Sequence, residues 1–219
     1  MTAARARRTR DAAASREAIL EAAEKAFAQH GFHGARVENI AKAAGVAKGT
    51  VFLHFQDKEN LLFALAEHRA RTFRNLYASL EQPGLSARER LEGLLDVHKW
   101  MREDVLDFRR MMIGMWMTLP AGLRARLQEM VRRTHLEMRE RVTVLYREFL
   151  GADGLDGSCA EELAAAMLAC VDGLSIRLRM PSPVPSMESV TRAARLIFVD
   201  NLERRAAAAR DQGRRNRKP

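Results

Sequence analysis

Apolar residues recur along this chain at intervals of three and four, and nowhere do they keep the two-residue alternation of a half-buried strand. That spacing predicts helix almost throughout. Ile19, Ala22, Ala23, Ala26 and Phe27 share one face of a first helix over about Asp11 to His30, with Gly31 as its stop. Two short helices are expected next, about Val37 to Ala44 and Ala47 to His54, then a longer one that Asp57 would cap, running to about Leu80. Ser86 with Glu89, and Ser158 with Glu161, have the spacing of capping boxes and open helices expected over Ala87 to Glu103 and Glu161 to Arg179. Between them fall a short helix around Asp107 to Thr118 and a long one after Pro120, to about Leu150. GADGLDGS reads as a loop, PSPVPS as a stiff connection, and Met187 to about Ala209 as the last helix. The expected fold is all-α, with about nine helices.

Composition narrows the setting. The chain has 219 residues, 47% of them hydrophobic, enough for a real core. No run approaches the eighteen or so apolar residues of a membrane helix, so no membrane partner is expected. The basic start MTAARARRTR leads directly into the amphipathic stretch Glu17 to Phe27, without the apolar region of a secretory signal, and a cytoplasmic setting follows. Cys159 and Cys170 stand eleven residues apart on one expected helix, about three turns, too far for a mutual disulfide. His98 and His135 belong to no set with metal-site spacing, and neither a metal nor another cofactor is expected.

The net charge of +9 sits at the ends. Arg5, Arg7, Arg8 and Arg10 give the first ten residues +4, the stretch from Arg204 onward carries +6, and the body between is near −1. The organisation expected is therefore a flexible basic arm over 1–10, a small domain over 11–56, a larger helical domain over 57–209 and a basic tail over 210–219. The arm could reach a minor groove or simply keep the chain solvated.

The most informative segment is IAKAAGVAKGTVFLHF. Ile40 and Ala41 give one helix an apolar face, Gly45 suits the left-handed residue of a tight turn, and Val46 and Val51 anchor the next helix beneath it. This is the pattern of a helix-turn-helix, whose second helix enters the major groove with its N-terminal residues, here Lys48, Gly49 and Thr50, toward the bases.

REAILEAAEKAFAQHGF followed by VENIAKAAGVAKGTVFLHFQDKENLL resembles the DNA-binding domain of the TetR (tetracycline repressor) family over roughly Arg16 to Leu65. The resemblance implies a three-helix DNA-binding head on a larger helical body that dimerises through its last two helices and binds a small effector, which usually lowers operator affinity. It marks Lys48 and Thr50 as base or phosphate contacts, His54 and Lys58 as phosphate contacts, and Arg36 and Gly49 as further members of the DNA-facing set. His54 and Lys58 could instead pack or stand in solvent. Three positions depart from the family's usual residues: Ala47 for Ser, Phe52 for Tyr and Arg36 for Thr. The first two remove hydroxyls that cap or meet phosphate, and the third exchanges a cap for a charge, which shifts the balance toward salt-sensitive contacts.

In the larger domain Trp100, Met101, Met112 and Trp116 cluster around a short-helix junction and suggest a roomy apolar effector pocket, although such stripes also serve as ordinary core. Apolar stripes over 161–179 and 187–209 suit a homodimer interface, and a twofold dimer would read a palindromic operator on double-stranded DNA. No nucleophile elbow, phosphate loop or paired-carboxylate arrangement points to an enzyme. The expected function is thus a repressor released by a small, mostly apolar effector. The alternative is an architectural protein that binds DNA without sequence preference or effector.

Overall fold

The computed structural model describes residues 3–79, 84–96, 103–152, 155–177 and 186–204, and among them there is helix and no strand. The α-helices are α1 (Ala3–Gly34), α2 (Val37–Ala43), α3 (Lys48–Phe55), α4 (Lys58–Ser79), α5 (Ala87–Leu95), α6 (Glu103–Met115), α7 (Ala121–Ala152), α8 (Ala160–Arg177) and α9 (Met187–Arg195). Short 3-10 turns at Trp116–Thr118 and Gly157–Cys159 precede α7 and α8, and a π-helical turn, Leu196–Asp200, continues α9. Two compact units form, one from residues 1–72 and 107–131 and the other from 73–106 and 132–219.

The first unit closes around Ile19, Leu20, Ala23 and Phe27 of α1, Ile40 and Ala41 of α2, Val51 and Phe55 of α3, and Leu61, Leu62 and Leu65 of α4. Met111, Met115, Leu119, Leu123 and Leu127 complete this core. Arg69 of α4 donates through Nε to Glu24 of α1 at 3.1 Å, and both side chains are largely buried, so the charges are paired where leaving one alone would be costly.

The second unit packs α5, the later part of α7, α8 and α9 around Leu91, Leu94, Val142, Tyr146, Phe149, Met167 and Val171. In α5 the buried residues Ala87, Leu91, Leu94 and Leu95 follow the helical period. The Ser86–Glu89 capping box opens that helix: Glu89 N–H donates to Ser86 Oγ at 3.2 Å and Ser86 N–H to Glu89 Oε2 at 2.8 Å. Tyr146 is wholly buried and donates its hydroxyl to Met167 Sδ and to the Phe198 carbonyl, each at 3.3 Å. Burial holds that phenol well above its ordinary pKa. The π turn after Arg195 inserts an extra residue into the helical step, and Val199 is the residue of that turn that becomes buried.

Four local expectations change. The first helix starts at Ala3 rather than Asp11, because the Ala-rich stretch before Ser15 contains nothing to break it, so it takes in residues 3–10. The helix expected to reach Glu103 ends at Leu95; Asp96 leaves helical geometry at ψ 48° and its Oδ1 accepts from Arg195 at 2.7 Å. Residues 97–102 lie outside the described set. Asp156, not Ser158, caps the approach to α8, accepting from Ser158 N–H at 3.0 Å, while Glu161 pairs with Arg147 at 3.4 Å. The last helix is interrupted by the π turn instead of running evenly onward. Both cysteines are free.

Candidate nucleic-acid interface

The site is built by the sharp changes of direction at Gly31 within the end of α1 and after α2. Gly31 adopts φ 67° and ψ 178°, a conformation almost confined to glycine, and turns the chain so that Phe32 stacks 6.1 Å from Phe27 in the core. After α2, Gly45 takes φ +68°. Gly45 N–H bonds the Lys42 carbonyl at 3.2 Å and Val46 N–H the Ala41 carbonyl at 3.0 Å, which is a Schellman ending that satisfies α2's last carbonyls. Val46 then packs against the core beside Ala41, fixing where α3 begins.

On α3, Val51 and Phe55 point into the core, which commits the opposite side to solvent. Lys48 and Gly49 are exposed in the first turn and Thr50 is half-buried. Ala47 stands at the N-cap and makes no side-chain bond, as does Arg36 at the N-cap of α2, where its exposed guanidinium is left for other contacts. His54 is half-buried in the last turn, with its ring 5.9 Å from that of Phe55. Asp57 caps α4, accepting from Asn60 N–H at 2.7 Å.

All six residues singled out from the sequence therefore lie on or beside the helix-turn-helix, but two of the cations are already engaged. Lys48 Nζ sits 2.5 Å from Glu38 Oε1 and 5.6 Å from the Phe52 ring centre. The hydrogen bond from Lys48 holds the Glu38 carboxyl below the usual carboxylate range. Lys58 donates to the carbonyls of His33 at 3.3 Å and Ala35 at 3.1 Å, and lies over Phe32 at 4.8 Å. It thus ties the start of α4 to the end of α1, a role the sequence reading did not assign. Leu53, likewise unassigned, is 82% exposed, and Phe52 beside it is 39% exposed.

Met112 and Trp116 are half-buried and pack against the core of the first unit, whereas Trp100 and Met101 lie outside the described residues. His98 lies there too; His135 meets Asp172 at 3.1 Å. Among the described residues no group of three or more His, Cys, Asp or Glu could hold a metal ion, and no helix is long and apolar enough to cross a membrane.

Residues 19–65 match the sequence model of the tetR family of bacterial regulatory proteins. The chain is 38% identical over 90 residues to the HTH-type transcriptional repressor AcnR of Corynebacterium glutamicum, covering 41% of this chain and 42% of that protein. It thus spans less than half the length of that relative. Against AcnR of Corynebacterium diphtheriae it is 35% identical over 138 residues, covering 59% of this chain and 70% of the other. A TetR-family transcriptional regulator from Rhodococcus sp. has a matching structure, with a TM-score of 0.63 at 28% identity over 87% of this chain and 99% of that one. The Bacillus subtilis transcriptional regulator FadR, solved in complex with stearoyl-CoA, gives a TM-score of 0.64 at 19% identity over 84% of this chain and 97% of that one, a likeness of fold.

Proposed function

The chain belongs to the TetR family of bacterial regulatory proteins, and from that premise we propose that it is a cytoplasmic repressor whose homodimer binds a palindromic operator and leaves it on binding a mostly apolar effector. The observation that carries the proposal is the outward face of α3, which carries Lys48, Gly49, Thr50 and His54, with Arg36 and Lys58 on the neighbouring helix starts. A helix held in this way fits the major groove, and the surrounding cations and amides fix its register on the phosphates. Lys48 and Thr50 at the start of α3 are the base or phosphate contacts in this reading, with Gly49 allowing close approach of the backbone. The protomers pair through α8 and α9, where Leu196 and Ile197 stand exposed on the turn that follows α9.

Met112 and Trp116, half-buried against the core of the first unit, are the described candidates for contact with the effector and supply adaptable, polarisable surface of the kind such sites use. Because the FadR neighbour was solved with stearoyl-CoA, an acyl-CoA series is the first probe to use. The test is fluorescence anisotropy of a labelled duplex recovered by selection, with sedimentation in parallel. The proposal expects one dimer per palindrome and progressive release as a long-chain acyl-CoA or another apolar ligand of that series is added. Tight binding that ignores sequence and falls steeply with salt would favour the architectural alternative instead.

A further inference from the structure

The helical period assigns the side of α3 that faces farthest from the core. Val51 and Phe55 are buried, and positions two residues away are turned by about 200°, so Gly49 and Leu53 stand directly opposite them. Those two residues are one helical step of four apart and adjoin on the surface. A long side chain on a helix leans toward the turn on its N-terminal side, which for Leu53 is the side on which Gly49 leaves the backbone bare. No heavy atom lies within 4 Å of where a Gly49 Cβ would be, so this ground is open. Leu53 is 82% exposed, the flanking Phe52 is also uncovered, and the nearby Lys48 ammonium is held by Glu38.

The strip of α3 opposite the core, Gly49 and Leu53, therefore carries no side-chain donor or acceptor, and Lys48 and Thr50 flank it. In the major groove the one apolar feature that distinguishes a base pair is the C5 methyl group of thymine. We infer that Leu53 is a specificity-determining residue that reads a thymine methyl in each operator half-site, with Gly49 giving the clearance for it to do so. This rests on the reading of α3 as the helix that enters the major groove. It adds that part of the sequence preference comes from apolar contact in place of bidentate hydrogen bonding.

The experiment replaces thymine by deoxyuridine, which pairs identically and lacks only the methyl, at each symmetric pair of positions in a selected duplex. Wild-type protein and Leu53→Ala are titrated against every duplex. Each methyl lost from a packed contact is expected to weaken binding about fourfold, so a symmetric replacement at the contacted pair costs roughly fifteenfold. Leu53→Ala should lose at least as much on the thymine duplex and respond no further to uracil at that pair. The side chain is so exposed that the variant keeps its fold, which its circular dichroism and an unchanged melting temperature would verify. If the wild type tolerates uracil at every position, or if Leu53→Ala stays as sensitive to uracil as the wild type, the inference is overturned while the DNA-binding reading stands. Failure of the wild type to prefer any duplex over random DNA would overturn both.

Discussion

Replacing Gly31 by alanine probes the turn on which the DNA-binding head depends. An added Cβ would meet no heavy atom within 4 Å, so crowding contributes nothing and the penalty is that of the backbone conformation itself. At φ 67° and ψ 178° an L-residue is strained by about 1–3 kcal/mol. Alanine offsets roughly 0.4–1 kcal/mol of this by restricting the unfolded chain. The net loss expected is about 1–2 kcal/mol, which for a protein of this size lowers Tm by roughly 2–8 °C. Urea unfolding followed by far-UV circular dichroism would measure it. Gly31→Asn is the discriminating control: asparagine is tolerated in the ordinary left-handed region near ψ 47°, but not near ψ 180°, so it should lose as much as alanine. An alanine variant as stable as the wild type, or an asparagine variant that recovers most of the loss, would refute the geometry.

Other perturbations separate structural from DNA-facing roles. Lys58→Ala should weaken binding to all sequences alike and reduce the salt slope by about one unit, and it should also lower stability, because its ammonium bonds the His33 and Ala35 carbonyls; a sequence-selective loss would contradict the phosphate role. Glu38→Gln releases Lys48 and should raise affinity for random DNA and steepen its salt dependence, measured by anisotropy across a salt series. Since Lys48 holds the Glu38 carboxyl below the usual range, the pair persists above that range and is lost only as pH falls through the lowered value; mild acidification below neutrality should therefore leave Lys48 engaged, and the wild type should approach the glutamine variant only in strong acid. Ile197→Asp places a charge on the exposed turn after α9 and should shift sedimentation toward monomer while leaving helix content unchanged.

The sequence reading succeeded where one local signal decided the outcome. Gly45 between two short apolar patterns located the turn, Ser86 with Glu89 located a helix start, and Asp57 located another. It failed where a distant partner decided. Asp96 ends α5 in the company of Arg195, ninety-nine residues away, and nothing adjacent in the chain announces that pairing. Ser158 and Glu161 have the right spacing for a cap, yet Asp156 has the better position and Glu161 is drawn to Arg147. Within the site, the DNA-facing candidates could be named from their motif, but not which of them were already bonded within the fold: Glu38 for Lys48 and two carbonyls for Lys58. Leu53 was accessible in principle, because placing Val51 and Phe55 in the core puts it opposite them, but only Val51 of that pair was assigned to the core from the motif.

The central claim is that α3 gives this protein sequence-specific recognition as a twofold dimer, and selection from random double-stranded DNA at near-physiological salt tests it most directly. The account predicts enrichment, over successive rounds, of a palindrome whose half-sites are spaced to meet two heads on one face of the helix. A bound pool that remains random in sequence would contradict it.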